Sequence, residues 1–399
     1  MKFKTLKASE YCDSVRDGTH DSPKKVEKGY KLITSKNIKE YGLNLENASD
    51  ISEEDYKKVN ERSLVEKNDV LYSMIGTIGL IHRVNYEPNY AIKNMGLFKI
   101  KDEQKSKWLY YYLKTPKMKN YINSLLAGST QQYITLNNLR ELPIQIPEDI
   151  QDTNKILHIL ELLENKIANN THTNNNLYKI LDNIFKEKYL NNERYNLWEE
   201  ITLGEITSKV ATGLNPRKNF VLGHGSNYYV TIKNMQNNDV ILNGKCDKVD
   251  DEAILKINRR SDLKVGDLLF SGIGTIGRVY LIKDVPYNWN ISESIFTIRP
   301  NEKCSSEFLY LLLLNKNMQN YAMNKASGSV QKGIRMADLK QFKVKLPTDN
   351  EMQSFTDVIK PIIDRIYNKA KQNEKLEQIR DTLLSKLMNG EIDLDKIEI

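Results

Sequence analysis

The segment "GDLLFSGIGTIGRVYLI", Gly266 to Ile282, carries glycines spaced as in nucleotide sites. Phe270-Ser271-Gly272-Ile273-Gly274 has the form of the turn that cradles S-adenosylmethionine in cytosine methyltransferases, and Gly272, Gly274 and Gly277 meet the G-x-G-x-x-G spacing of dinucleotide binders. That chemistry requires a strand, a glycine turn and then a helix whose N-terminal amides face phosphate. Here the turn runs into "RVYLI", β-branched and aromatic, which reads as a second strand. A sister segment, "LYSMIGTIGLIHRV" from Leu71, has Met74 where Gly272 stands and also continues into a strand-like run. Both keep Gly-Thr-Ile-Gly, the composition of a hairpin turn with glycines at positive φ. The spacing therefore predicts a hairpin rather than a phosphate cradle.

Other catalytic constellations fail on residue type. A cytosine methyltransferase needs a nucleophilic cysteine after proline, but Cys246 lies in "GKCDK" and Cys304 in "EKCSS". An adenine enzyme needs Asn or Asp, two prolines and an aromatic, and "EPNY" and "NPRK" both miss. Cys12, Cys246 and Cys304 are too few and too scattered for a disulfide framework or a zinc motif. His20, His82, His158, His172 and His224 show no metal spacing. The expectation is a chain with no metal and no cofactor of its own. Its 399 residues are 40% hydrophobic and 28% charged, with a formal net charge of +7 that suits a polyanionic partner. "MKFKTLKASE" lacks the apolar core of a signal peptide, and "FLYLLLL" is too short to span a bilayer, so the expectation is a cytoplasmic protein with no membrane segment.

The elements that position these groups are written twice. Leu71 and Leu269 are 198 residues apart, and Asp69 with Asp267, Phe98 with Phe296 and Ile100 with Ile298 keep that spacing. "WLYYYLKTPKMKNYINSLLAGS" from Trp108 matches "FLYLLLLNKNMQNYAMNKASGS" from Phe308, and "TSKNI" from Thr34 matches "TIKNM" from Thr231. Residues 1–198 and 199–399 are thus copies of one plan, too long for a solenoid repeat and implying a pseudo-two-fold molecule. Each copy starts with short strand-like runs, such as "YKLITSKNI", "DVLYSMIG" and "MGLFKI", followed by a helix from about Ser106 to Leu126. A loop and a last strand in "YITLNNLRELPIQIP" then end at Pro147.

Beyond each terminal proline the apolar period becomes 3.5. Ile156, Leu160, Leu163, Ile167, Asn170, Asn174, Leu177, Leu181 and Ile184 form one seam; Phe355, Ile359, Ile362, Ile366, Lys369, Asn373, Leu376, Arg380, Leu383 and Leu387 form the other. Their polar centres fit either a loop between shorter helices, as "NNTHTNNN" suggests, or a continuous helix with register-setting polar positions, which "IYNKAKQNEKLEQIRDTLLSKL" favours in copy two. Pro361 should kink the second helix or mark its start. Each seam needs a partner, and the duplication supplies one.

Two variable domains each ended by a long helix, with "DGTHDSP" (Asp17 to Pro23), "GTIG" in each hairpin, "GSTQQYI" (Gly128 to Ile134) and "GSVQKGI" (Gly328 to Ile334), resemble the specificity subunits of type I restriction-modification systems. "ATGLNPRKNF" (Ala211 to Phe220) fills the place of "DGTH" in copy two without matching it. The resemblance implies an α+β chain. Target recognition domains at 1–150 and 198–348 each read one half of a split DNA site. Helices at 151–197 and 349–399 form an antiparallel coiled-coil spacer. It further implies double-stranded DNA, two methylation subunits and restriction subunits as partners, with S-adenosylmethionine, ATP and Mg bound on those subunits and no catalysis by this chain.

Reading base edges takes amide, hydroxyl and cationic groups on loops. The shared loops offer Thr34, Lys36 and Asn37; Thr231, Lys233 and Asn234; Ser129, Gln131 and Gln132; Ser329, Gln331 and Lys332; and the hairpin threonines Thr77 and Thr275. The unshared Thr19, His20 and Asn215 are placed to carry sequence choice, and Lys24, Lys25, Arg217 and Lys218 to hold phosphates. The competing reading of the shared loops is that their polar groups cap local turns. Two other functions stay open at this stage: a DNA methyltransferase in its own right, and a coiled-coil adaptor that binds only proteins. The duplication also makes a prediction. A fragment of residues 1 to about 195 should self-pair through its single long helix, as seen by sedimentation; a species that stays monomeric at high concentration would contradict the helix pairing.

Overall fold

A computed structural model of the chain describes residues 1–394 apart from Glu40, Tyr41, Ser129, Thr130, Asn237, Ser329 and Val330, with only the backbone of Lys39. The chain divides into two compact units that differ from the sequence halves: Met1–Asn170 with Gln372–Ile399, and Thr171–Lys371.

In the first unit Phe3–Lys7 pairs antiparallel with Pro143–Pro147. An antiparallel four-stranded sheet follows in the order Ser14–Asp17, Met95–Lys99, Val70–Ser73, Ile81–Arg83. A three-stranded sheet places Tyr30–Ile33 between antiparallel Ser49–Ile51 and parallel Tyr90–Ile92. Helices Glu53–Ser63, Glu103–Lys114, Pro116–Ser124 and Leu136–Arg140 complete it. The second unit repeats the plan. Glu199–Thr202 pairs with Lys343–Leu346, and the four-stranded order is Thr207–Thr212, Ile295–Pro300, Leu268–Ser271, Val279–Leu281. Its three-stranded sheet is Asp247–Val249, Asn227–Val230, Trp289–Ile291.

The Gly-Thr-Ile-Gly segments are hairpin turns, as expected. Val70 to Tyr72 pair with Arg83 to Ile81, and Gly76, Gly79, Gly274 and Gly277 have φ of 79°, 86°, 82° and 93°. One buried carboxylate braces each hairpin strand. Asp69 accepts from the Glu66 amide at 2.7 Å and from Lys99 Nζ at 2.7 Å; Asp267 accepts from the Lys264 amide at 2.8 Å and from Arg299 Nε at 2.6 Å.

Three local expectations are corrected. The helix expected from Ser106 to Leu126 is two helices, because Thr115 Oγ1 caps a new one at the Met118 amide (3.2 Å) and Pro116 occupies its first turn. "YITLNNLRELPIQIP" is only partly strand: Thr135 Oγ1 caps Leu136–Arg140 through the Asn138 amide at 3.1 Å, and the strand begins at Pro143. The pairing of Phe98 with Phe296 and Ile100 with Ile298 is also out of step. Val70 faces Phe98 whereas Leu268 faces Ile298, so the ladder sets Phe98 against Ile298 across the copies. A shift of two residues keeps each side chain on its face of the sheet, which is why the sequence pattern concealed it.

The long helices run unbroken from Ile150 to Phe185 and from Asp349 to Met388. "NNTHTNNN" is therefore helical, and Pro361 lies inside the second helix rather than at its start. In the first unit Ile156, Leu157 and Leu160 share a core with Leu384, Leu387 and Met388. In the second, Leu181 and Phe185 share one with Phe355, Ile359, Ile363 and Ile366. In both, rising numbers on one helix meet falling numbers on the other, so the segments are antiparallel. Ile363 is buried and Ile362 only partly so, a one-place departure from the expected seam. Asn170 is 1% exposed and donates to Gln372 Oε1 and Asn373 Oδ1, both at 2.8 Å. Among the described residues, no helix is long and apolar enough to cross a membrane.

Burial against the four-stranded sheet pushes the His82 imidazole down from 6.5 to about 4, with Arg83 adding to the effect. The ring is neutral when folded, so its contribution is fully present above pH 6.5 and is lost as pH falls towards 4. Urea titrations between pH 7 and 4 should show stability falling by up to about 3 kcal/mol from this group. His82→Phe should flatten that acid limb; an unchanged limb would assign it to other groups.

Candidate nucleic-acid interface

Three loops meet in each unit. The first is a 3-10 turn. Thr34 N and Thr34 Oγ1 donate to Asn37 Oδ1 at 2.9 and 3.0 Å, the Asn37 amide returns to the Thr34 carbonyl at 3.0 Å, and Asn37 Nδ2 donates to the Asn44 carbonyl at 3.2 Å. Thr231 and Asn234 repeat the turn at 2.9, 3.0 and 2.9 Å. Asn37 and Asn234 are buried, so these four residues build their turns, while Lys36 and Lys233 stand exposed on them.

The second loop is the hairpin tip. Buried Ser73 donates through Oγ to the Thr77 carbonyl at 2.6 Å and accepts from the Leu80 amide at 2.7 Å; Ser271 does the same with Thr275 and Arg278 at 2.6 and 2.8 Å. The tip is thus pinned from inside, with the Thr77 and Thr275 side chains facing outward. The third loop packs on it. Tyr133 bridges to both Ala127 and Ile75, and Gly333 to both Ser327 and Ile273. The Ile134 amide reaches the Met74 carbonyl at 3.0 Å, and the Ile334 amide that of Gly272 at 2.9 Å. Gln131, Gln132, Gln331 and Lys332 are exposed on this loop; Ser129 and Ser329 lie outside the described residues. The hairpin also reaches the 3-10 turn. A methyl group placed on Gly76 would lie 3.8 Å from Ser35 Oγ, and one on Gly274 would lie 2.7 Å from Gln331 Nε2 and 3.6 Å from Ile232 Cδ1.

A fourth segment flanks the three. The Thr19 amide donates to the Ile92 carbonyl at 3.1 Å, and the Lys93 amide to that of Ile33 at 2.9 Å, which sets the segment beside the strand leading into Thr34. Asp17 faces Gly96 and Thr212 faces Phe296, equivalent ladder positions that align "DGTH" with Thr212-Gly213-Leu214-Asn215. Only glycine fits the second position, because a Cβ would come within 2.5 Å of the Ile92 carbonyl at Gly18 and 1.7 Å of the Ile291 carbonyl at Gly213. His20 Nε2 contacts Asp17 Oδ2 at 3.0 Å and Nδ1 contacts Asn94 Oδ1 at 2.9 Å, which fixes the ring at the loop surface. Asn215 receives Asn219 Nδ2 on its carbonyl at 2.9 Å. Lys24, Lys25, Arg217 and Lys218 are exposed, with no ion pair among the described residues.

Sequence reading missed Arg278, whose Nη1 donates to the Ile232 carbonyl at 2.7 Å and ties hairpin to turn in the second unit alone. The signal was its exchange for Leu80 directly after an otherwise identical Gly-Thr-Ile-Gly. The three thiols are all buried, and burial pushes Cys12 and Cys304 up to about 12 and Cys246 up to about 11, so they stay protonated and poor nucleophiles at neutral pH. No group of three metal-ligating side chains occurs among the described residues.

The family model described as the type I restriction modification DNA specificity domain matches residues 10–179 and again 195–378. The type I restriction enzyme MjaIX specificity subunit of Methanocaldococcus jannaschii is 25% identical, over 93% of this chain and 84% of its own. The putative MjaX specificity subunit of the same organism is 24% identical, over 96% and 92%. In fold, the chain resembles the crystal structure of a type I restriction-modification S subunit from M. genitalium, with a TM-score of 0.56 at 17% identity over 97% of this chain and 96% of that one.

Asn234→Ala removes the acceptor shared by the Thr231 amide and hydroxyl and should cost about 1–2 kcal/mol locally. Amide exchange should then lose protection at Thr231 but not at Thr34; equal loss at both would show that the turns are not independently built.

Proposed function

The chain belongs to the type I restriction modification DNA specificity family, and on that premise we propose that it is a recognition subunit reading a bipartite duplex site with one loop cluster per half-site. The observation that carries this reading is the recurrence in both units of the same three loops, pinned from inside and exposing amide, hydroxyl and ammonium groups. These groups match the donor and acceptor pattern of the major groove. A carboxamide from Gln131, Gln132 or Gln331 pairs with adenine and an ammonium from Lys332 with guanine, each supplying about 1–3 kcal/mol of discrimination. Lys36, Lys233, Thr77 and Thr275 border the same patches, while Thr34, Asn37, Thr231 and Asn234 support them from beneath. Thr19, His20 and Asn215, on the segment that differs between copies, carry sequence choice. Lys24, Lys25, Arg217 and Lys218 hold phosphates and set register without reading bases.

In this reading residues 1–150 and 198–348 are the readers, and 151–197 and 349–399 form the spacer between half-sites. The chain catalyses nothing and binds no cofactor. Two methylation subunits bring the adenine methyltransferase with its S-adenosylmethionine, and restriction subunits bring ATP- and Mg-dependent translocation and cleavage. Buried, protonated thiols argue against cytosine-C5 methyl transfer by this chain, which needs a thiolate nucleophile, and the adenine-enzyme motif is missed by both "EPNY" and "NPRK".

The test maps methylated adenines in a host carrying the system with either the parent chain or Gln331→Ala with Lys332→Ala. One half-site should relax while the other is retained. Relaxation of both halves would refute independent readers, and methyl transfer by the isolated chain would refute a non-catalytic subunit.

A further inference from the structure

The first unit also carries an arginine-lined cleft that the shared loops do not use. Arg16, Arg62 and Arg140 converge on a cavity of about 290 Å³ whose other walls are Asp17 and Leu136. Each guanidinium is held from behind. Arg16 donates from Nε to Ser14 Oγ and from Nη1 to the Arg62 carbonyl, both at 3.2 Å; Arg140 Nε donates to the Val15 carbonyl at 3.2 Å; Arg62 donates to Asp17. Their remaining N–H groups find no acceptor among the described residues.

Asp17 is the single carboxylate in the cleft, is 4% exposed, and is engaged on one oxygen by Arg62 and on the other by His20. Of the three exposed guanidiniums only Arg62 contacts Asp17, so the cleft keeps an excess of positive charge that attracts an anion. The free N–H groups form the planar forks that suit a tetrahedral oxyanion. The cleft also has a meaningful place in the fold. Asp17 ends the strand that enters the Thr19–His20 segment, and Leu136 directly follows the Gln131–Gln132 loop.

We infer that this cleft is an anion subsite that takes a backbone phosphate of duplex DNA beside the first unit's reading loops. The inference rests on the DNA-recognition reading above and adds an asymmetry to it. In the second unit Ala211 faces Thr297 and Thr212 faces Phe296, the ladder positions held by Arg16 and Asp17 in the first, while Arg260 and Lys340 lie in the last turns of the helices equivalent to those of Arg62 and Arg140, so the Arg16 arm of the grip belongs to one half-site only. A phosphate contact fixes register and carries no base preference.

The experiment compares duplex binding by the full chain and by Arg16→Ala with Arg140→Ala across a salt series, with circular dichroism confirming that both are folded. The variant should bind every duplex more weakly by a similar factor, with the slope of log affinity against log salt reduced by about 0.9 per lost phosphate contact and base preference unchanged. Arg16→Lys with Arg140→Lys should recover most of the slope. A parent that binds with a variant of identical slope overturns this inference and leaves the DNA reading intact; so does a variant with altered base preference. A parent with no salt-dependent affinity for any duplex overturns both.

Discussion

Burial of the apolar seam on the two long helices is the constraint on which both units depend. A helix of 36 or 40 residues with an apolar stripe towards each end cannot leave it in water, since each fully buried Leu, Ile or Phe contributes about 1.5–3 kcal/mol. Each unit closes its core with the start of one helix and the end of the other. Ile156 and Leu160 meet Leu384 and Leu387 in the first; Phe185 meets Phe355 and Ile359 in the second. That arrangement makes the pairing antiparallel and returns the chain terminus to the unit in which the chain began. It also carries the second helix through Pro361, because Ile359 and Ile363 on either side of the proline are both buried.

The polar centre of the seam sets register. Asn170 donates to Gln372 and Asn373, Asn373 Nδ2 donates to the Ile167 carbonyl at 3.3 Å, and in the second unit Asn174 Nδ2 donates to the Ile366 carbonyl at 3.1 Å. Sliding either helix by a turn would set these amides against apolar side chains with no partner, a loss of several bonds at once. The apolar stripe supplies affinity between the helices, and the amides decide which alignment receives it.

On this frame the loops divide their labour by depth. Buried members, such as Ser73, Asn37 and Asp69 and their counterparts Ser271, Asn234 and Asp267, are consumed in internal hydrogen bonds and recur in both units. Outer members differ: Leu80 against Arg278, Thr19 and His20 against Leu214 and Asn215. A duplicated scaffold can therefore present two chemistries without altering the bonds that shape its loops.

The primary sequence was sufficient for everything encoded within a few turns of chain: the duplication, the hairpin glycines, the 3.5-residue seams and the absence of a helix after "FSGIG". The breaks at Thr115 and Thr135 were legible too, as Thr-Pro and Thr-x-x-Asn capping signals, but apolar periodicity masked them. Tertiary structure alone decided the rest. It placed Gln372–Ile399 in the first unit, slipped the repeat by two residues at Met95–Lys99, and buried Ile363 in preference to Ile362. It also buried Asn37 as the brace of its turn and brought Arg16, Arg62 and Arg140 to one cleft. Local spacing specifies which face a side chain takes and where a turn begins. Which distant group meets that face, and whether a polar atom is satisfied inside or left for a partner, depends on contacts between residues tens to hundreds of positions apart.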